Sequence, residues 1–215
     1  MKFAIILSGC GVNDGAEIHE ATMTMLAIVK NGNTYDIFAP DMMQHHVINH
    51  LNGEEMDEKR NVLVESARIA RGNIKSLADY SAEDYDALVL PGGFGAAKNL
   101  CTYAFEGTDF SVNELVEKVL KSTHSAGKPI GGLCISPVLL AGVFKGIKVT
   151  IGHDKGTASD IKKLGAEHVE KGPGEVVVDS ENKIVTTPAY MLDSTITELY
   201  NGADNLVKAI MEMVE

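Results

Sequence analysis

The sequence contains few of the residues that crosslink small secreted proteins. Its 215 residues include only three cysteines, Cys10, Cys101 and Cys134. Their irregular spacing does not suggest a disulfide framework, and no Cys-x-x-Cys or Cys/His pairing typical of zinc sites is present. We therefore expect a protein of a reducing compartment.

Long apolar stretches are also absent. The opening run, residues 1–7, is short and ends at Ser8-Gly9-Cys10-Gly11. No segment approaches the roughly 18 apolar residues that span a bilayer, and no Arg-rich, acid-poor leader is evident. These features predict a protein that does not bind membranes and that stays in the cytoplasm.

Basic side chains are scarce relative to acidic ones. Lys and Arg number 19 against 30 Asp and Glu, a formal net charge of -11. Such a field repels phosphate backbones, so nucleic acid is not an expected partner. With 45% hydrophobic and 6% aromatic residues, the composition is that of a globular protein, and we predict one domain over residues 1–215.

Short β-type runs alternate with helical patterns along the chain, which predicts an α/β fold with a mostly parallel sheet and helices on both faces. The predicted strands are Lys2–Leu7, Tyr35–Ala39, Ala87–Leu90, Pro129–Leu133 and Lys148–Ile151, followed by a hairpin of Glu175–Asp179 and Lys183–Thr187. The predicted helices are Ala16–Lys30, Asn61–Arg71, Val112–Ser125, Ile135–Val143, Ala158–Leu164 and Asp193–Val214. The long connection Pro40–Arg60 has no assigned structure.

Cys134 lies where an apolar strand runs directly into an apolar helix. Small residues, Gly132 and Ser136, stand two positions on either side of it. This pattern is typical of a nucleophile elbow, in which a strained turn holds the reactive side chain at the end of the sheet. Helix amides beyond the cysteine favour its thiolate, which predicts a depressed pKa. The alternative is an inert core cysteine.

A second loop of interest is Pro91-Gly92-Gly93-Phe94-Gly95, which follows the predicted strand Ala87–Leu90. Its glycines allow main-chain amides to approach a substrate oxygen, as in an oxyanion hole. We therefore expect Gly92, Gly93 and Ile135 to take part in binding. A glycine loop alone is also commonly a plain turn.

Several strings of this sequence resemble known proteins. Gly-Leu-Cys-Ile-Ser-Pro (132–137) and Leu-Pro-Gly-Gly-Phe-Gly-Ala-Ala-Lys-Asn-Leu (90–100) resemble the PfpI-type branch of the class I glutamine amidotransferase-like superfamily. Longer similarity, to the ElbB family of isoprenoid-biosynthesis-associated proteins, lies in Leu-Ser-Gly-Cys-Gly-Val (7–12), Glu-Ile-His-Glu (17–20), Val-Ile-Asn-His-Leu (47–51), Arg-Asn-Val-Leu (60–63) and Lys-Ile-Val-Thr-Thr-Pro-Ala-Tyr-Met-Leu (183–192).

The resemblance covers nearly the whole chain and implies a flavodoxin-like three-layer sandwich, usually a homodimer. It also implies that Cys134 is the nucleophile and that an acid from the first helix lies beside it. By position that acid is Glu20, with Glu17, one turn earlier, as the competitor. The alternative is that Glu20 is a solvated residue of the helix with no role in the site.

At one point the chain departs from the glutamine-hydrolysing members. Where they have His-Pro-Glu after a late strand, this sequence has Thr187-Pro188-Ala189. Threonine is no base at neutral pH, so glutaminase activity is not expected. His153 is an accessory candidate from another loop, while Cys10 and Pro188 are expected near the mouth of the same site.

With glutaminase activity set aside, the resemblance implies chemistry on small carbonyl compounds. It implies a cofactor-independent glyoxalase that converts glyoxal to glycolate through a hemithioacetal on Cys134. The alternative is a redox-responsive or regulatory protein, linked to isoprenoid metabolism, in which Cys134 is oxidised.

Three histidines, His45, His46 and His50, cluster within Pro40–Arg60. His46 and His50 would share a helix face, as metal ligands do. No third ligand is evident, so we assign no metal site. Cys101 receives no role.

Overall fold

The computed structural model describes residues 1–214. Its strands are β1 (Lys2–Ile6), β2 (Thr34–Ala39), β3 (Lys75–Ser76), β4 (Ala87–Leu90), β5 (Ile130–Leu133), β6 (Lys148–Val149), β7 (Glu167–His168), β8 (Val177–Asp179) and β9 (Ile184–Thr187). Its helices are α1 (Ile18–Lys30), α2 (Val62–Ile69), α3 (Phe94–Lys98), α4 (Tyr103–Glu106), α5 (Glu114–Ser125), α6 (Ser136–Val143), α7 (Lys155–Lys163) and α8 (Ile196–Glu212).

Seven of the strands form one sheet in the order β3-β2-β1-β4-β5-β9-β8. Every pair is parallel except β8 and β9, which form the predicted antiparallel hairpin. Alternate residues of β1 belong to two separate buried clusters, Ala4 and Ile6 to one and Phe3 and Ile5 to the other. Because successive side chains of a strand point to opposite faces, helices cover the sheet on both sides. The predicted three-layer α/β fold is confirmed.

One predicted strand, Lys148–Ile151, lies outside the main sheet. It is shortened to β6, which pairs with β7 in a separate two-stranded sheet. The reason is that side chains of the hairpin take its amides: Asp179 Oδ2 accepts from the Lys148 amide at 2.7 Å, and Thr186 Oγ1 from the Thr150 amide at 2.9 Å. The segment therefore runs beside the sheet without joining its ladder of main-chain hydrogen bonds.

The starts of two helices are set by capping side chains rather than by apolar periodicity. The helix predicted at Ala158–Leu164 begins at Lys155, since Asp154 accepts from the Thr157 amide as N-cap. The last helix begins at Ile196 because Thr195 and Glu198 form a capping box. The helices α3 and α4, with 5 and 4 residues, are too short for periodicity to reveal. None of the helices within residues 1–214 is long and apolar enough to cross a membrane.

The connection Pro40–Arg60 is ordered by isolated bridges rather than by a helix. Ile48 pairs with Glu55, and Met43 pairs with Asn61 just beyond the connection. The Ile48 amide also donates to Asp14 Oδ2 at 2.7 Å, which fixes the connection against the loop after β1. It therefore supports one side of the loop that leads into α1.

Candidate active site

The elbow at Cys134 forms as the local sequence predicts. Cys134 follows β5 with a φ of 60°, a left-handed conformation that costs a residue with a side chain on the order of 1–3 kcal/mol. Its amide donates to the Thr187 carbonyl at 3.0 Å, and the Ser136 hydroxyl donates to the Pro91 carbonyl at 2.9 Å. These bonds join the elbow to the ends of β4 and β9 and hold the strained turn in place.

The absence of a side chain at Gly92 lets Cys134 and Glu20 pack against its backbone. A Cβ there would lie 2.4 Å from the Cβ of Cys134, 3.0 Å from its sulfur and 2.8 Å from Glu20 Oε2. Only a residue without a side chain fits between them. The Cys134 sulfur and the Glu20 carboxyl oxygen therefore both lie against the side of Gly92 where a side chain would be, within reach of each other.

We expect Gly92→Ala to destabilise the protein by about 1–3 kcal/mol, because the new methyl group displaces Cys134 or Glu20 from a packed site. Urea unfolding measures the change. Gly156→Ala is the matched control: position 156 is exposed in α7 and its Cβ would meet only Asp154 Oδ1, at 3.4 Å. There the same methyl group should raise stability by about 0.5–1 kcal/mol through helix propensity. Equal effects of the two changes would contradict the close approach at Gly92.

The structure separates the roles of the two candidate acids. Glu20 is fully buried; its Oε2 accepts from the Gly92 amide at 2.8 Å and its Oε1 from the Tyr190 amide at 3.3 Å. Glu17 is the N-cap of α1 and accepts from the Glu20 amide at 2.7 Å. Glu20 is therefore the acid that faces the sulfur, and its reading as a solvated helix residue is wrong.

Burial has the largest effect on the pKa values of Glu20 and Cys134. Burial, and then the nearby charge of Glu17, raises the pKa of Glu20 to about 7, against the opposing amides of Gly92 and Tyr190. Burial, and then the charge of Glu20, raises the pKa of the Cys134 thiol, although the amides of Gly93 and Ile135 favour its thiolate. The expected depressed thiol pKa is wrong, because the site that excludes water also holds an acid. The two groups titrate as one unit.

A cavity of about 410 Å³ opens onto Cys134. Its lining includes Cys134, Gly93, Ile135, Glu17 and Tyr190. Tyr190 was not singled out from the sequence; its hydroxyl lies 3.1 Å from Nδ1 of His19, another residue that sequence reasoning missed. The only sequence signal for Tyr190 is its place in the loop after β9, at the carboxyl edge of the sheet where ligands bind.

Glu20 and Gly92 adjoin Cys134 without lining the cavity, and three further predicted site residues, His153, Pro188 and Cys10, do not line it either. His153 is exposed, and the side chain of Pro188 lies beside Gly152. Cys10 is half-buried, and burial, with the charge of Glu65 adding to it, raises the pKa of its thiol. Each follows a strand as expected, but its own loop directs the side chain elsewhere.

The remaining candidates have structural roles. The Thr187 hydroxyl donates to the Glu175 carbonyl at 2.8 Å, so it is engaged away from the elbow. Cys101 is buried, donates to the Ala96 carbonyl, and has a pKa raised to about 12 by burial. Both patterns are those of packed core groups.

The histidines of the Pro40–Arg60 connection do not share a helix face. The ring of His45 packs on that of Phe105, with centroids 4.0 Å apart, while Nε2 of His50 accepts from the Asn13 amide at 3.1 Å. Within residues 1–214 there is no group of three or more His, Cys, Asp or Glu side chains that could hold a metal ion.

Comparison with known proteins identifies the family. Residues 10–194 match the DJ-1/PfpI family, which covers most of the chain and includes both the elbow and Glu20. The chain belongs to the DJ-1/PfpI family.

Two relatives match nearly the whole chain. The chain is 50% identical over 222 residues to the ES1 protein homolog, mitochondrial, of Rattus norvegicus, covering 99% of this chain and 84% of that protein. It is also 50% identical over 222 residues to glutamine amidotransferase-like class 1 domain-containing protein 3, mitochondrial, of Homo sapiens, covering 99% and 83%. These names contradict the expected cytoplasmic location. Location depends on targeting signals read by receptors, which the pattern of strands and helices does not encode.

A solved structure matches the complete fold. The isoprenoid biosynthesis protein with an amidotransferase-like domain from Ehrlichia chaffeensis has a TM-score of 0.94 and 35% identity, covering 100% of both chains. The class I glutamine amidotransferase-like, flavodoxin-like architecture implied by the sequence is confirmed.

Two further similar proteins are enzymes by name. A deglycase from Pyrococcus horikoshii is 34% identical over 99 residues, covering 45% of this chain and 50% of its own. Glyoxalase III of Candida albicans shares the fold, with a TM-score of 0.65 and 17% identity over 100% of this chain and 98% of its own.

Proposed function

We propose that the protein is a cofactor-independent glyoxalase of the ElbB type, which converts glyoxal or a similar small dicarbonyl to a hydroxy acid. The observation that carries the proposal is the buried Glu20 carboxyl, with a pKa raised to about 7, facing the Cys134 sulfur. A general base is most effective when its pKa lies near the working pH. The match to the Ehrlichia chaffeensis protein supports the ElbB-type placement.

The first step is addition of the thiol to an aldehyde. The Glu20 carboxylate accepts the thiol proton as the sulfur of Cys134 bonds to the aldehyde carbon, and the former carbonyl oxygen receives the proton. The product is a hemithioacetal. The amides of Gly93 and Ile135, which favour the thiolate, stabilise negative charge as it develops.

The second step moves a hydrogen between adjacent carbons. Glu20 removes the hydrogen of the hemithioacetal carbon as a proton, and the electron pair left behind forms an enediolate with the neighbouring carbonyl. Return of that proton to the second carbon, with transfer of the hydroxyl proton of the first carbon to the oxygen of the second, gives a thioester. One carbon is oxidised and the other reduced by the same electron pair, so no redox cofactor is required.

Hydrolysis completes the cycle. Water adds to the thioester, the carbon–sulfur bond breaks, and Cys134 leaves as its thiol, so that glyoxal plus water yields glycolate and a proton. The decisive test is glycolate formation from glyoxal by fresh, reduced protein. The alternative, a non-enzymatic protein that responds to oxidation of Cys134, predicts no turnover under those conditions.

We expect no release of ammonia from glutamine. Amide hydrolysis needs a group that protonates the departing amine, and the Thr187 hydroxyl, in the place of the amidotransferase histidine, is bound to the Glu175 carbonyl. His153 does not line the cavity and is no substitute. A coupled ammonia assay, run beside glycolate formation on the same sample, measures this. Ammonia release that Cys134→Ala abolishes, without glycolate, would overturn the proposed activity.

A further inference from the structure

The second step of the proposed reaction moves two protons, and Glu20 carries only one of them. While its carboxyl takes the proton of the first carbon to the second, the hydroxyl proton of the first carbon must reach the oxygen of the second. The Glu20 side chain is fully buried, and its two oxygens accept from the amides of Gly92, at 2.8 Å, and Tyr190, at 3.3 Å. The step therefore needs a second acid–base group that faces the cavity.

The lining of the cavity includes two tyrosines, Tyr103 and Tyr190. The Tyr103 hydroxyl donates its proton to Asp160 Oδ2 at 3.0 Å, so that proton is directed away from a ligand. The Tyr190 hydroxyl instead lies 3.1 Å from Nδ1 of His19, a ring nitrogen that can either donate or accept. Of the two phenols, Tyr190 is therefore the one whose own proton can turn towards a ligand.

The charge of Glu17 favours one direction of the hydrogen bond between His19 and Tyr190. Glu17 Oε1 lies 3.9 Å from the same Nδ1 atom, while its other oxygen accepts from the Glu20 amide at 2.7 Å. A carboxylate at this distance favours the tautomer that carries its proton on Nδ1. Nδ1–H then donates to the Tyr190 oxygen, which leaves the Tyr190 proton and one lone pair of that oxygen for a ligand.

The protonation state of Tyr190 suits proton transfer in both directions. Burial, and then the charges of Glu17 and Glu20, raises the pKa of the Tyr190 hydroxyl, so the phenol keeps its proton at neutral pH. A neutral hydroxyl can give one proton and accept another in the same step. His19, with 54% of its side chain exposed, holds this hydroxyl from the rim of the site.

We propose that Tyr190 is a second catalytic acid–base group and that His19 is a positioning residue that holds its hydroxyl. This inference rests on the proposed function and adds a proton carrier to it. As Glu20 moves the carbon-bound proton, the Tyr190 hydroxyl gives its proton to the oxygen of the second carbon and takes the hydroxyl proton of the first. One O–H bond breaks and one forms at the phenol oxygen, so Tyr190 ends the step unchanged.

Tyr190→Phe tests the hydroxyl alone, because the ring and the main-chain amide that donates to Glu20 Oε1 are kept. We expect kcat for glycolate formation from glyoxal to fall by about 10²- to 10⁴-fold, with little change in KM. Tyr200→Phe is the matched control. Its hydroxyl donates to Asp204 Oδ1 at 3.3 Å on α8, outside the cavity lining, so kcat should stay at the wild-type value.

Two substitutions of His19 separate positioning from packing. In His19→Asn the side-chain nitrogen takes the place of Nδ1 and can still donate to the Tyr190 oxygen, whereas leucine in His19→Leu cannot donate. His19→Asn should keep most of the wild-type kcat, and His19→Leu should lose about tenfold. Equal losses in the two variants would overturn the positioning role.

Protection of Cys134 from iodoacetamide shows at which step Tyr190 acts. Addition of the thiol to the aldehyde does not use the phenol, so glyoxal should slow alkylation of Cys134 in Tyr190→Phe as much as in wild type. Protection together with lost glycolate formation is the expected sign of a block at the second step. Loss of protection in Tyr190→Phe would contradict that assignment.

The outcomes separate this inference from the function on which it rests. Glycolate formation that depends on Cys134, with equal kcat in wild type and Tyr190→Phe, overturns the role of Tyr190 and leaves the glyoxalase standing. No Cys134-dependent glycolate from the wild-type protein overturns both.

Discussion

Cys134→Ala should lower glycolate formation from glyoxal by on the order of a thousandfold or more, because every proposed covalent step uses its sulfur. The side chain is small and 8% exposed, and it sits on a turn whose main-chain bond to Thr187 the substitution retains. The variant is therefore expected to fold. Circular dichroism and urea unfolding, measured on the same preparation, separate loss of chemistry from loss of structure.

Cys101→Ala is the matched control. It removes a thiol of the same protein that is buried and bonded to the Ala96 carbonyl, away from the cavity lining. Its turnover should stay within a few-fold of wild type. Equal activity in Cys134→Ala and wild type would contradict the nucleophile, and equal losses in both cysteine variants would point to destabilisation instead.

Glu20→Gln should lower turnover by about 10²- to 10⁴-fold, the usual contribution of a positioned general base. The amide keeps the shape of the side chain and can still accept from the Gly92 amide, as Oε2 of the acid does. What it loses is the titrating proton. The expected defect therefore lies in kcat more than in KM.

The pH profile distinguishes chemistry from packing. Since the base form of Glu20 is required and its pKa is raised to about 7, wild-type activity should rise as pH increases through that value. Alkylation of Cys134 by iodoacetamide should rise only at higher pH, because burial and the charge of Glu20 raise the pKa of the thiol. In Glu20→Gln the alkylation profile should move to lower pH, because the carboxylate charge that opposes the thiolate is gone.

Stability gives an independent measure of the same pKa. The folded-state pKa of Glu20 is raised from 4.5 to about 7, so the folded protein holds a proton that the unfolded chain has lost in that window. The stability associated with this proton is complete below pH 4.5 and is lost as pH rises towards 7. Glu20→Gln should therefore gain stability relative to wild type across that interval, with no further gain above it.

Glu17→Gln is the control for the glutamate pair. It keeps an oxygen that can cap α1 but removes the charge that helps to raise the pKa of Glu20. Its activity profile should move to lower pH with little loss at the plateau. If Glu17→Gln abolished turnover while Glu20→Gln did not, the two roles would be reversed.

The sequence by itself determined the local elements of the site. A buried strand running through Gly132 into Cys134 and Pro137 specifies a sharp turn and a helix start, because glycine and a first-turn proline restrict what the backbone adopts. The alternation of strand and helix patterns determined the layered sheet. The sequence Thr187-Pro188-Ala189 was enough to remove the amidotransferase base.

Only the tertiary structure decided which groups meet and in what protonation state. Glu17 and Glu20 are both near the start of α1, and their roles separate only when the Gly92 backbone packs against one of them. The raised pKa of Cys134 depends on burial by segments far apart in the chain. The position of β6 likewise depends on distant segments, because side chains of the β8–β9 hairpin accept hydrogen bonds from main-chain amides in and next to β6. Local sequence sets backbone preference, whereas desolvation and side-chain pairing are properties of the packed whole.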